Sequence, residues 1–457
     1  METKGWYPHL LGREPFPRNM VFYSPGRTST YPEEPPIKGL RFHYLGGGDE
    51  VGNVGVVLED MHGTRLLLDY GLAPTNPPRY PREAPVVHDA VITHSHIDHI
   101  GMVPWLCAHH RTRLHGTSIT AELSEMMWRD CYKVSSIERY PLAWDKRDID
   151  TALDSWFVHD HGVPWNHHNW ELTFHQAGHI PGAAMLHIQT SEMSILLTGD
   201  FDTRDSFLVS GAKPVKADVL FIEGTYGGRN HPPKDEEIDR FIESVQSIVR
   251  SGGTVLIPAF ANGRTQDMVM LLHKHLPHLD VHVDGMGKRV AKAHLNNPSL
   301  LKDSAALERA WRWAKQVKSK SDRKKALAAD VIVSTSGMLS GGPALWYLNR
   351  LRHSSKNAVF FTGYQAEDTG GRDLLETGSI EIYGQRHHVS LHIEQFSFST
   401  HAGHQEIVDF AKSCEAKHIV IYHTDPKRAR PPLVEELREL GHVVHEPKNG
   451  ESYIIEH

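Results

Sequence analysis

"ITHSHIDHIG", residues 92–101, sets three histidines and an aspartate within six positions directly after a short apolar run. Alternate side chains of a strand share a face, so His94 and His96 can point the same way from a strand end. Asp98 and His99 follow one short turn later and can face them across a gap. The result is one half-site of nitrogen donors and one of mixed nitrogen and oxygen. Zinc takes about four N, O or S ligands, and a catalytic zinc keeps one position for water. Further donors stand at the ends of other apolar runs: Asp69 in "LLLDYG", His179 in "AGHIPG", Asp200 in "LLTGDF" and His423 in "IYHTD". Singly, an aspartate before glycine is ordinarily a turn residue, and a single histidine a packed or surface side chain. The joint pattern outweighs those readings. The chain holds 34 histidines, so adjacent pairs such as His167-His168 and His387-His388 carry no weight.

Composition narrows the chemistry. At 457 residues the chain exceeds what one core usually fills, which predicts two domains. A mean hydropathy of −0.42, no long apolar run, and an N-terminus "METKGWYPHLLGREPFP" without the pattern of a signal peptide predict a cytoplasmic protein with no membrane association. The cysteines Cys107, Cys131 and Cys414 lie far apart and form no C-x-x-C pair, which argues against a disulfide framework and a thiolate zinc site. Any metal is therefore held by nitrogen and oxygen. The net charge of −7 weighs only weakly against a nucleic acid, because the local field at a groove steers the ligand.

Along the chain, residues 1–37 are rich in proline and aromatics and read as an N-terminal arm. Short apolar strands begin near residue 40 and dominate to about 226, with polar residues gathered at their C-terminal ends. From about 232 helix-like and strand-like segments alternate, which suggests an α/β domain with a parallel sheet. The basic stretch "AKQVKSKSDRKKALAA" within it reads as a solvated helix face. After about 385 the earlier style returns. The expected organisation is an arm at 1–37, a first domain at 38–228, an inserted α/β domain at 229–388, and the first domain again at 389–457.

The ordered set Asp69, His94-x-His96-x-Asp98-His99, His179, Asp200 resembles the metallo-β-lactamase fold, an αββα sandwich. "EGTYG" (223–227), "FSTHAG" (398–403) and "IYHTD" (421–425) resemble the three motifs of its β-CASP branch of nucleases. "IPAFANGRTQ", "STSGMLSGGPALWYL" and "FTGYQAEDTGGR" are similar to the archaeal and cleavage-and-polyadenylation-factor type, related to ribonuclease J. Gly403 stands where these nucleases often carry Asp, and "HTD" replaces the common "HGE" at His423.

The resemblance implies an α/β fold, a metallo-β-lactamase sandwich carrying an inserted β-CASP domain, with two zinc ions as cofactors. His94, His96, His179 and a bridging Asp200 would hold one zinc, and Asp98, His99, His423 and Asp200 the other. Such pairs lower the pKa of a water and clamp a phosphodiester. Asp69 would hold a histidine or the water in orientation. His401, paired with Glu223, would protonate the leaving 3′ oxygen, so products carry a 5′-phosphate and a 3′-hydroxyl. A histidine at the third motif, here His423, goes with RNA processing rather than DNA repair. The partner is then single-stranded RNA, with Arg264 and Arg372 as phosphate contacts and Ser399 and Thr400 as a pocket for a terminal phosphate. Endonuclease action is favoured slightly over 5′-3′ exonuclease action, and a homodimer is left open. The rival readings are an inactive or partner-dependent scaffold subunit and a small-molecule metallo-hydrolase of the same sandwich.

Overall fold

The fold is that of a computed structural model of the chain that describes residues 38–456 other than Asn76 and Glu367. The arm expected at 1–37 lies outside the described residues. Two seven-stranded sheets face each other. The first runs, in spatial order, Ser452–Ile455, Leu40–Gly46, Gly55–Glu59, Arg65–Leu68, Asp89–Val91, Arg113–Gly116 and Trp156–Val158. The second runs Val443–His445, His418–Tyr422, Val219–Glu223, Ser194–Leu197, Ala184–Gln189, Trp170–Gln176 and Trp165–His167.

The period-2 alternation of each strand decides which layer a side chain joins. In Val219–Glu223, Val219 and Phe221 enter the core between the sheets with Phe42, Leu58, Phe174 and Leu186. Leu220 and Ile222 point the other way, under the helices His404–Ser413 and Arg430–Glu439, where they meet Ile407, Val408, Leu433 and Leu437. The outer face of the first sheet is covered in the same manner by helices Val103–His110, Ser118–Glu138 and Lys146–Leu153 through Leu106, Cys107, Trp128 and Ile149. This is an αββα sandwich. Helices Ser118–Glu138 and Lys146–Leu153 correct the expectation that strands dominate to 226. A sheet with apolar side chains on both faces needs a helical layer on its outer side. Helix Lys146–Leu153 also carries its own start signal, a reciprocal cap between Asp145 and Asp148.

Phe221 is fully buried and meets the Phe42 ring edge-on at 5.1 Å between centroids. Phe221→Ala is expected to cost about 3–5 kcal/mol, read as a lower urea midpoint for unfolding of the sandwich.

A third sheet is built from the chain between the two parts of the sandwich, in the order Lys315–Gln316, Val281–Asp284, Val331–Ser334, Val255–Pro258, Ala358–Phe361 and His392–Gln395. Its pairings are all parallel. Parallel sheets are covered on both faces, which explains the continuous apolar runs "VLIP", "VIVS" and "AVFF". One face packs on helices Lys234–Arg250 and Arg264–His275, the other on Gly342–Leu351. His392–Gln395 pairs in parallel with Ala358–Phe361, so this sheet extends past the return expected at 389, and the chain rejoins the sandwich after 395. The pairing is made by backbone groups, which is why the side-chain style of "SLHIEQ" did not reveal it. Among the described residues no helix is long and apolar enough to cross a membrane.

Candidate active site

Parallel strands end on a common edge, and ligands of open α/β sheets gather at their C-terminal ends. Arg65–Leu68 is parallel to Asp89–Val91, and Ser194–Leu197, Val219–Glu223 and His418–Tyr422 are parallel to one another. Asp69, His94, Asp200, Glu223 and His423 stand at or within a few residues of these five ends. His179 comes from the turn between Trp170–Gln176 and Ala184–Gln189, and His401 from the loop before helix His404–Ser413. Asp69 and His423 have φ of 51° and 48°, a left-handed backbone uncommon for residues with a side chain. Gly199, at φ 56°, permits a close approach: a Cβ there would lie 2.9 Å from Thr93 Cβ, beside His94 on the facing loop.

The donors form two adjoining groups. His96 Nδ1 is 3.1 Å from both His94 Nε2 and His179 Nε2, and Asp200 Oδ2 is 3.6 Å from His94 Nε2 and 3.8 Å from His179 Nε2. On the other side Asp200 Oδ1 is 3.3 Å from His99 Nε2 and 3.7 Å from His423 Nδ1, while His423 Nε2 is 3.5 Å from Asp98 Oδ2. The donor atoms of His94, His96, His179 and Asp200 lie within 4.8 Å of one another, as do those of Asp98, His99 and His423.

These residues fit a metal. His99 Nε2, Asp200 Oδ1 and His423 Nε2 are buried without a hydrogen-bond partner. Leaving such an atom unpaired costs about 1–3 kcal/mol, and a cation among them would satisfy all three. The surroundings also set which ring nitrogen is free. His99 Nδ1 donates to Asp69 Oδ2 at 2.7 Å, and Asp69 is itself held by the Thr93 N–H and hydroxyl. His179 Nδ1 donates to the Thr400 carbonyl at 2.8 Å. His423 Nδ1 donates to the Thr225 hydroxyl at 2.9 Å, which in turn donates to Glu223 Oε2.

Glu223 is fully buried, and its Oε1 accepts from His401 Nδ1 at 2.7 Å. One carboxylate thus orients both His401 and, through Thr225, His423. His401 Nε2 faces the centre, 4.0 Å from Asp200 Oδ2.

The electrostatics follow from this packing. Burial pushes His94 and His179 well below the usual histidine range and lowers His96, so these imidazoles are neutral with lone pairs available. Burial alone would raise the Asp200 carboxyl, but His423, His99 and His401 hold it well below the ordinary carboxylate range. Burial works against a charged His401 as well. The Glu223 and Asp200 carboxylates outweigh it and push the imidazole up to about 9.

Beside the His401 loop a small cleft is lined by the cations Arg204, Lys234 and Arg264, the carboxylates Asp202, Asp205 and Asp267, and Ser399 and Thr400. Arg204 Nη2 donates to Asp202 Oδ2 at 2.8 Å and to the carbonyls of Ser399 and His401, which pins the histidine's loop. Burial lowers both the Lys234 ammonium and the Arg264 guanidinium, so these are poorly hydrated cations. Arg264, Ser399 and Thr400 are therefore brought together. Arg372 is not among the residues lining that cleft; it lies on helix Gly370–Thr377, paired with Glu376 at 2.6 Å.

Sequence reasoning missed Thr93, Thr225, Arg204 and Lys234. For the two threonines a signal existed, a hydroxyl one or two residues from a donor, in "VITH" and "EGTYG". Nothing local marks Arg204 or Lys234.

Three family profiles match the chain: the metallo-beta-lactamase superfamily over residues 47–259, the Beta-Casp domain over 265–374, and a Zn-dependent metallo-hydrolase RNA specificity domain over 386–445. RNase aCSPSF2 of Saccharolobus solfataricus is 32% identical over 417 residues, spanning 89% of this chain and 84% of that protein. The chain belongs to the β-CASP ribonucleases. It is a metal-dependent hydrolase of RNA, of the archaeal type similar to cleavage and polyadenylation specificity factors. Probable RNase MJ4 of Methanocaldococcus jannaschii is 33% identical over 390 residues, 80% of this chain and 89% of that one. The cleavage and polyadenylation specificity factor subunit 3 of Dictyostelium discoideum is 28% identical, with 92% of this chain matched to 59% of its length. A crystal structure of a protein of unknown function from Enterococcus faecalis V583 shares the fold, with a TM-score of 0.59 at 12% identity over 92% of this chain and all of that one. In this β-CASP ribonuclease the matched segments on either side of the insert carry the donor set, because Val219–Glu223 and His418–Tyr422 are neighbouring strands of one sheet.

Proposed function

We propose that this β-CASP ribonuclease is a two-zinc enzyme of RNA processing or decay that cuts single-stranded RNA internally and leaves 5′-phosphate and 3′-hydroxyl ends. The observation that carries the reading is Asp200, whose Oδ2 faces His94 and His179 while its Oδ1 faces His99 Nε2 in the other group. A carboxylate placed so serves two ions at once. His94, His96 and His179 would complete one set, and Asp98, His99 and His423 the other. Bound there, zinc supplies Lewis acidity that lowers the pKa of a water and neutralises phosphodiester charge.

The chain's own residues do the rest. Asp69 and Thr225 hold His99 and His423 in the tautomers that turn Nε2 inward. His401, fixed by Glu223, presents Nε2 to the centre and delivers the proton that the leaving 3′ oxygen needs. Arg264, Ser399 and Thr400 contact a phosphate of the bound strand in the cleft beside it, and Arg372 a phosphate further out. The complete, inward-facing donor set weighs against an inactive scaffold subunit. Cytoplasmic action is supported by the archaeal relative named as an RNase.

Internal cutting is supported by the relative in Schizosaccharomyces pombe named endoribonuclease ysh1, 26% identical over 91% of this chain and 58% of its own length. Circular and linear 5′-monophosphate RNAs of the same sequence are expected to disappear at comparable rates. An intact circle beside a vanished linear strand would refute internal cutting and assign the cleft to a terminal phosphate.

A further inference from the structure

Four phenylalanine or tyrosine rings stand strongly exposed among the described residues: Phe157, Phe260, Tyr364 and Tyr383. Two of them, Phe260 and Tyr364, follow neighbouring strands of the inserted sheet. Phe260 is 41% exposed and Tyr364 46%. They lie two residues beyond Pro258 and three beyond Phe361, at the C-terminal ends of the paired parallel strands Val255–Pro258 and Ala358–Phe361. The rings therefore leave the same edge of the inserted sheet from neighbouring strands.

Their loops are tied together. Gln365 Nε2 donates to the Gly337 carbonyl at 3.2 Å and to the Tyr364 carbonyl at 3.1 Å. The Phe260 ring lies against Gly337, where a Cβ would come within 3.3 Å of Phe260 Cδ2. Gly363, next to Tyr364, borders open space. Phe260 is thus backed by Gly337 and still 41% exposed.

The same loops reach the centre. Asn262, two residues after Phe260, donates from Nδ2 to Ser95 Oγ at 3.0 Å, and Ser95 stands between His94 and His96. Two residues of chain span at most about 7 Å. On the other side, the half-buried Tyr226 has its ring centroid 6.2 Å from that of His401. Arg264, four residues after Phe260, lines the cleft 3.6 Å from the Asp267 carboxylate. One stretch of chain thus carries an exposed ring and a cation, the two kinds of group a single-strand binding surface uses.

We propose that Phe260 and Tyr364 are positioning residues that stack on RNA bases beside the scissile phosphate. They hold the strand unstacked and in register with His401. The proposal rests on single-stranded RNA being the substrate. Because every base has a π-face, the clamp tolerates any sequence but needs a base to be present.

The test walks one abasic ribonucleotide through a short RNA around its cleavage position. Wild type is expected to show KM raised about 5- to 150-fold at one or two abasic positions, with kcat within about twofold of intact RNA. Phe260→Ala and Tyr364→Ala should raise KM on intact RNA by a similar factor and remove the penalty for the missing base. Phe260→Trp and Tyr364→Phe, which keep a ring, should return KM close to wild type. An unchanged KM for wild type at every abasic position overturns the proposal, and needs no variant to fold. Equal losses in the ring-keeping and alanine variants also overturn it, since they indicate a structural role. Failure of wild type to cut the intact RNA overturns the substrate reading instead, and this proposal with it.

Discussion

Asp200→Asn is expected to lose both metal ions and to lower RNA cleavage to below about 10⁻⁴ of wild type, since without bound metal the attacking water keeps a pKa near 15.7 instead of about 7. The carboxylate is 2% exposed and points one oxygen at each donor group. An asparagine offers one oxygen and an NH₂ that repels a cation, so at least one group loses its anionic ligand and the other its charge balance. His96→Ala separates the two halves: it removes a nitrogen from the His94, His96 and His179 group alone and should leave about one ion per chain. Elemental analysis of the purified proteins, with about two zincs expected for wild type, reads both variants. A fully active protein without metal would falsify the two-zinc reading. Asp200→Asn retaining two ions would remove its bridging role.

His401→Ala should slow cleavage by roughly 10²–10⁴-fold while metal content stays at the wild-type value. The pairing of His401 with the buried Glu223 motivates this split between rate and metal content. His401 Nδ1 is committed to Glu223 at 2.7 Å, and its Nε2 is 4.0 Å from the nearest Asp200 oxygen, directed at the centre. Glu223→Gln should give a smaller loss of the same kind, because an amide can still hold the imidazole but without the full charge that favours its protonated form. Metal loss in His401→Ala would make the histidine a ligand, and an unchanged rate would take it out of the reaction.

Much of the site could be read from order alone. H-x-H-x-D-H after an apolar run, and acids or histidines after four other runs, are local statements: each strand is a short apolar stretch, and each donor stands at its end. The inserted parallel sheet was equally visible, because strands buried on both faces are written as unbroken apolar runs. Helices Ser118–Glu138 and Lys146–Leu153 were not. Ser118–Glu138 mixes buried Ile119, Leu123, Met126 and Trp128 with a long polar face, and its register against the sheet is set by packing, not by a motif. The end of the insert was hidden for a related reason, since His392–Gln395 is recruited through backbone hydrogen bonds that accept any side chain.

From the sequence by itself came the candidate donors at the ends of apolar runs; the sandwich with its insert, the division of the donors and the pairing of Glu223 with His401 were implied by its family resemblance. Only the tertiary structure decided how each of these is held in place. The two oxygens of Asp200 face different histidines because Gly199 lets its loop close onto Thr93 from the opposite sheet. It also decided that Thr225 links Glu223 to His423, that Arg204 and Lys234 join Arg264 in one cleft, and that Phe260 and Tyr364 follow neighbouring strands of one sheet. Each is a contact between residues far apart in the chain. Such contacts are set by sheet pairing and layer packing, which act on distance in space and leave no mark on spacing in sequence.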